Sequence, residues 1–92
     1  MIVRIMGEGQ VRLADSHLTE LNKLDNILLT EVQSGDVPAF RQTLQALLAK
    51  VRELGDPLPD DSLEPSELIL PAEDATLEEV RDLLSDDGLI PG

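Results

Sequence analysis

A chain of 92 residues forms a single domain with one modest core, and its 41% hydrophobic content, with Phe40 as the only aromatic residue, predicts a core of Leu, Ile and Val. The absence of cysteine excludes disulfides, thiolate nucleophiles and thiolate metal sites, and is compatible with the cytoplasm. The net charge of −12 disfavours nucleic acid and anionic lipid as ligands, and no apolar run approaches the roughly 18 residues of a membrane span.

The first fourteen residues have the pattern of a β-hairpin. Ile2, Val3 and Ile5 favour a strand, and residues 10–13 alternate between polar and apolar side chains after a Gly-Glu-Gly sequence. A glycine-containing turn between two such runs predicts a hairpin over residues 1–14. A phosphate-binding loop is disfavoured, because the glycine spacing of a dinucleotide fingerprint is missing and Glu8 would repel phosphate.

A long helix is expected next, with Asp15 or Ser16 as its N-cap. The helix is predicted from about residue 16 to about residue 33 and ends at Ser34 and Gly35. This prediction follows from apolar residues that recur every three or four positions along one face, at Leu18, Leu21, Leu24, Leu28 and Val32.

Asp36 and Pro38 predict the start of a second helix, as a cap followed by a proline in the first turn. This helix is expected to end at Gly55 in a left-handed cap. Its apolar residues, also at helical spacing, are Val37, Phe40, Leu44, Leu47, Leu48, Val51 and Leu54. Residues 15–55 are therefore predicted to form an antiparallel helical hairpin whose apolar faces are mainly core, with a partner helix as the alternative. No function is assigned to the cations expected on its solvated side, Arg41, Lys50 and Arg52.

The negative charge is concentrated in the last third of the chain. Residues 1–55 carry six Lys or Arg and seven Asp or Glu, whereas residues 56–92 carry Arg81 and twelve acids. A field of this sign favours a basic protein partner, although the acids have a second interpretation, in which they only keep the domain soluble. Residues 56–61 contain two prolines and three acids, which predicts a linker or an ordered loop.

The acidic segment, residues 56–92, also carries signals of regular structure. Residues 68–70, Leu-Ile-Leu before a proline, predict an edge strand added to the N-terminal hairpin. Thr76 and Glu79 form a capping box that predicts a third helix to about Leu84, with Leu77, Val80, Leu83 and Leu84 on its inner side. Residues 87–92 are apolar enough to be held against the domain. The predicted fold class is α+β, mostly α, with an N-terminal β-hairpin, a helical hairpin and an acidic C-terminal segment.

The sequence offers little support for an enzyme, a cofactor or a metal site. His17 is the only histidine, and no second base or nucleophile accompanies it at the predicted helix start. The adjacent acids at 60–61, 73–74 and 86–87 lack the alternating spacing of a calcium loop, and we expect them to be solvated. A non-enzymatic binding protein is therefore predicted.

Five stretches of the sequence resemble a known family when taken in their order and spacing. They are MIVRIMGEGQVRL, LTELNKLDN, LGDPLPDD, PSELILPAEDATLEEVRDLL and DGLIPG. Together they resemble the PspA-associated proteins, small partners of phage-shock protein A, over practically the whole chain. The resemblance implies a cytoplasmic accessory of a coiled-coil, membrane-remodelling protein of the envelope-stress response. Such an accessory reaches the inner membrane through its partner, without direct insertion.

Together, the residues and the resemblance give a hypothesis for the site. The acidic segment is expected to dock on a basic coiled-coil surface, with charges that steer association and apolar side chains that anchor it. The charged candidates are Asp60, Asp61, Glu64, Glu67, Glu73 and Asp74, and the apolar candidates are Leu68, Ile69, Leu89 and Ile90. One alternative is an acidic antagonist of a DNA-binding regulator that imitates nucleic acid. Another is a homo-oligomer formed through either long helix.

Overall fold

The structure is a computed structural model, and it describes residues 1–59 and 65–83. The strands are β1 (Ile2–Ile5), β2 (Gly9–Arg12), β3 (Asp56–Pro57) and β4 (Leu68–Leu70). The helices are α1 (Leu18–Ser34), α2 (Val37–Leu54) and α3 (Leu77–Leu83). The predicted fold class, α+β with helix predominating, is confirmed. The predictions for Leu84 and for residues 87–92 lie outside the described residues.

The four strands form one sheet in the order β3-β2-β1-β4. β1 and β2 pair antiparallel, with Ile5 opposite Gly9, so the predicted N-terminal hairpin is confirmed. The turn is closed by the Glu8 amide, which donates to the Ile5 carbonyl at 3.0 Å. Gly7 and Gly9 have φ angles of 84° and 124°, a region that favours glycine because it has no Cβ.

α1 begins later than the sequence predicts. A 3-10 turn (Asp15–His17) precedes it, His17 stands at the N-cap position, and no side chain caps either element. The prediction of a cap at Asp15 or Ser16 was therefore wrong. The Asp15 carboxylate lies 3.6 Å from the N-terminal amine instead, while the His17 amide donates to the Ala14 carbonyl at 3.1 Å.

The connection between α1 and α2 follows the prediction. Gly35 has a φ of 74° and ends α1 in the left-handed region. Asp36 caps α2, because its Oδ1 accepts from the Ala39 amide at 3.3 Å. The predicted antiparallel helical hairpin is present, and the Thr43 hydroxyl of α2 bonds the Glu31 carboxylate of α1.

The end of α2 departs from the prediction at Gly55. Its φ and ψ are −91° and 155°, so it is extended rather than left-handed. Glycine is needed here for space, since a Cβ would lie 2.8 Å from the Val51 carbonyl oxygen and 3.0 Å from Val11 Cγ2. The chain then forms β3, where the sequence predicts a linker or loop. Asp56 and Pro57 pair antiparallel with β2.

The acidic segment adds one further strand and one helix to the described fold. β4 pairs parallel with β1, as the prediction of an added edge strand requires. The capping box of α3 is confirmed, because the Glu79 amide donates to Thr76 Oγ1 at 3.2 Å and the Thr76 amide donates to Glu79 Oε1 at 3.3 Å. α3 buries Leu77 and Val80.

One core joins the inner face of the sheet to the three helices. Alternate residues of β1 and β4 enter it, and these are Val3, Ile5, Leu68 and Leu70. α2 contributes Phe40, Leu44, Leu47, Leu48 and Val51, as its periodicity predicts. α1 buries Leu21, Asp25, Leu28 and Val32. The apolar pattern predicted that Leu24 would face the core. Asp25 is buried in this turn of α1 instead, and Leu24 is only partly buried.

Candidate partner-binding surface

The structure describes five of the residues predicted to bind a partner. Two of them, Glu67 and Ile69, are exposed and flank Leu68, which is 6% exposed and packs in the core. Leu68 is therefore a core residue rather than a surface anchor, because successive side chains of β4 point to opposite faces of the sheet. Ile69, 51% exposed, lies beside Arg4 in the sheet register, on the face away from the core. The predictions that lie outside the described residues are Asp60, Asp61, Glu64, Leu89 and Ile90.

Glu73 and Asp74 lie in the exposed turn between β4 and α3. The sheet brings this turn beside the β1–β2 turn, because the Met6 amide donates to the Leu70 carbonyl at 3.0 Å. Two segments more than sixty residues apart in sequence therefore meet at one end of the sheet. The pairing of β1 with β4 is what places the predicted acids on this common surface.

A network of ion pairs joins these two turns to α2. The Arg52 guanidinium forms a two-pronged pair with the Glu8 carboxylate, with Nε 2.7 Å from Oε1, and also lies 3.4 Å from Glu73 Oε2. The hydrogen bond from Arg52 lowers the pKa of Glu8, and the same bond raises the pKa of Arg52. Arg52, which the sequence placed on a solvated face without a role, thus connects three parts of the fold.

A groove runs between the β1–β2 turn, the segment after β4, and α3. We call it the α3 groove. Its volume is about 500 Å³, and it is lined by Met6, Gly7, Pro71, Ala72, Asp74, Ala75, Glu79, Asp82 and Leu83. Two large apolar side chains in this lining remain exposed to solvent, Met6 at 49% and Leu83 at 52%. Within the part of the chain that the structure describes, the α3 groove is therefore a concavity with a partly apolar lining.

The charge of the α3 groove has one sign. Asp74, Glu79 and Asp82 are exposed, and no Lys or Arg is found among the described residues that line it. Glu79, Asp82 and Leu83 share one face of α3, because residues three and four positions apart are neighbours on a helix. This arrangement suits a ligand that combines apolar groups with positive charge.

The sequence predicted part of this surface and missed the rest. Asp74 was predicted, whereas Leu83 was expected on the inner side of α3 and is exposed. The helix period contained a signal for this position. Leu83 lies six residues after the buried Leu77, which at 100° per residue is a rotation of about 240° and turns Leu83 away from the side of Leu77. Met6 directly follows the alternating residues of β1, and no pattern indicated that it would face α3.

Two kinds of site, a metal centre and a membrane span, were sought among the described residues. Residues 1–59 and 65–83 contain no group of three or more His, Cys, Asp or Glu side chains arranged to hold a metal ion. Within the same ranges, no helix has the length and apolar character needed to cross a bilayer.

A family model described as "PspA-Associated protein" matches residues 1–92, the whole chain. No curated protein matches the chain, and no solved structure matches it. The family description indicates association with PspA. Since the family match covers every element described above, the chain belongs to the PspA-associated protein family.

Proposed function

We propose that this protein is a non-enzymatic accessory that binds PspA directly and modulates its response to membrane stress. The observation that carries the proposal is the family match over residues 1–92. The acidic, partly apolar α3 groove supports it, because such a surface suits a basic protein partner better than nucleic acid or anionic lipid. The protein would then act in the cytoplasm and reach the inner membrane through PspA.

Direct binding is tested by co-expression with the PspA homologue from the same genome, followed by size-exclusion chromatography with light scattering. We expect co-elution at low salt and weaker co-elution at about 0.5 M salt, where the Debye length is only a few ångströms. Equal co-elution at both salt concentrations would indicate that apolar faces, rather than charged groups, carry the interaction. Separate elution at both would overturn the proposed complex.

Modulation is a separate claim and needs a separate measurement. PspA is sedimented by ultracentrifugation with and without an equimolar amount of this protein, and the fraction of PspA in the pellet is compared. We expect that fraction to change when the complex forms. An unchanged pellet in the presence of demonstrated binding would contradict modulation and leave direct association intact.

A further inference from the structure

Building on the proposed function, we infer that the α3 groove is the PspA-binding site and that it accepts a basic amphipathic segment. In this arrangement an apolar side chain of the partner inserts between Met6 and Leu83. Lys or Arg residues that flank it face Asp74, Glu79 and Asp82. At protein interfaces, buried apolar anchors commonly supply most of the affinity. Complementary charges around them fix the orientation of the partner.

The apolar part of the α3 groove combines exposed side chains with a concave shape. The described residues leave five large apolar side chains strongly exposed, namely Met6, Ile27, Val37, Ile69 and Leu83. Met6 and Leu83 line one common concavity with Pro71, Ala72 and Ala75. A ligand side chain placed there would be surrounded by apolar surface on several sides.

The charge of the groove identifies the partner's chemistry. Among the described residues that line it, three are acids and none is Lys or Arg, and the nearby cation Arg52 is already paired with Glu8 and Glu73. A basic segment would therefore meet an excess of negative charge. The chain's own residues 84–92 carry Asp86 and Asp87 and no Lys or Arg, so their sequence lacks the positive charge that this surface attracts.

The first test removes the apolar anchors. The Met6→Gln/Leu83→Gln variant keeps similar side-chain size and removes apolar surface, and the matched control is Ile27→Gln/Val37→Gln at comparably exposed positions. Affinity for the PspA homologue is measured by isothermal titration calorimetry on the full chain. We expect the groove variant to lose at least about tenfold in affinity, as for a typical interface anchor, and the control to bind like the wild type.

The second test removes charge without changing shape. Asp74→Asn/Asp82→Asn is compared with Glu20→Gln/Glu53→Gln, which changes the net charge equally but lies outside the α3 groove. Stopped-flow association at low salt is expected to slow several-fold for the groove variant and little for the control, and the difference should vanish near 0.5 M salt. Equal slowing of both variants would mean that the whole-molecule charge steers the partner, which overturns a localised site.

The third test asks what occupies the groove before the partner binds. The chain contains two methionines, so methyl-labelled methionine gives one signal from Met6 and one from Met1, which packs against the core elsewhere. Addition of PspA is expected to shift or broaden the Met6 signal selectively. Movement of the Met6 signal in a Leu89→Ser/Ile90→Ser variant without PspA would show that the C-terminal residues fill the groove, and would overturn the inference.

The outcomes separate this inference from the function on which it rests. If the wild type binds PspA and the groove variant binds equally well, the site is wrong and the proposed function stands. If the wild type does not bind PspA, both are overturned. Circular dichroism of each variant, with the wild-type spectrum expected, establishes that lost affinity does not come from lost folding.

Discussion

Gly55 shows how one residue can be required for a reason other than its backbone freedom. Its φ of −91° is accessible to alanine, but an added Cβ would lie 2.8 Å from the Val51 carbonyl oxygen. We therefore expect Gly55→Ala to lower the free energy of unfolding by about 1–3 kcal/mol, as overpacking does, measured by urea denaturation.

Val11 provides the control for this prediction, because its Cβ and Cγ2 lie 3.1 Å and 3.0 Å from the added Cβ. In a Val11→Ala background, which removes the methyl at 3.0 Å, the cost of Gly55→Ala should become smaller. If Gly55→Ala lowers the free energy of unfolding equally in that background, the strain lies at the Val51 carbonyl alone. A negligible cost in the wild-type background would contradict the close approach of α2 and β2.

The signals that single residues give at helix ends were ambiguous, because one residue type serves several roles. Gly35 and Gly55 both follow long helices, and only Gly35 is left-handed. Asp15 and Asp36 both precede helices, and only Asp36 caps one. The distinguishing features, the strand that follows Gly55 and the amine beside Asp15, are tertiary contacts that a local pattern does not contain.

At the scale of elements, α3 is short and depends on its capping box. A helix of seven residues is marginal by itself, so the reciprocal bonds of Thr76 and Glu79 add to the burial of Leu77 and Val80. We expect Thr76→Ala to destabilise the protein by about 1 kcal/mol, whereas Thr76→Ser should retain most of the stability. Urea denaturation gives the free energies, and amide exchange in α3 locates the change.

If α3 forms one wall of the binding site, Thr76→Ala should also weaken binding to PspA more than Thr76→Ser does. The loss would come from α3 opening in the free protein rather than from a removed contact. Faster amide exchange with unchanged affinity would show that α3 does not need to be ordered for the partner to bind.

The Glu8–Arg52 pair connects the β1–β2 turn to α2, and its contribution should depend on pH. Because Arg52 lowers the pKa of Glu8 from its ordinary 4.5, the unfolded chain takes up this proton more readily than the folded protein does. The stabilisation is therefore present above pH about 4.5 and is lost as the pH falls through the lower folded pKa. Both side chains are more than a third exposed, so we expect only about 0.5 kcal/mol.

A double-mutant cycle measures this coupling directly. Unfolding free energies of the wild type, Glu8→Gln, Arg52→Gln and the double variant are compared at neutral pH and at about pH 3. The coupling energy should be favourable at neutral pH and smaller at the acidic pH. A coupling that is equal at both pH values would mean that the contact between the two side chains does not depend on the charge of Glu8.

The long elements and α3 carry local sequence signals, whereas β3 and the α3 groove depend on tertiary contacts. α1 and α2 are long enough for their 3.6-residue period to be recognised in the sequence, and the capping box predicts α3. β3 has only two residues, one of them Pro57, so neither alternation nor strand propensity could indicate it. The sequence could not predict the α3 groove either, because the parallel pairing of β1 with β4 brings Met6 to α3 across a large sequence separation.

For the whole molecule, the excess of acids should make salt act in opposite directions on folding and on binding. Nineteen acids oppose seven Lys and Arg residues, and at about 10 mM salt the Debye length of ~30 Å exceeds the ~12 Å radius of gyration expected for this length. The excess negative charges therefore repel one another, and this repulsion favours the expanded, unfolded chain.

Raising the salt concentration from about 10 mM to about 0.3 M should then raise the thermal midpoint of the free protein by a few degrees. The same change should weaken its complex with PspA, because screening also reduces the attraction between opposite charges. Asp74→Asn/Asp82→Asn, with a smaller net charge, should show a smaller rise in midpoint. Potassium chloride and sodium chloride at equal ionic strength should act alike if screening is the cause. A midpoint that falls with salt would instead mean that pairs such as Glu8–Arg52 outweigh the general repulsion, and that the acidic surface is locally compensated rather than available to a basic partner.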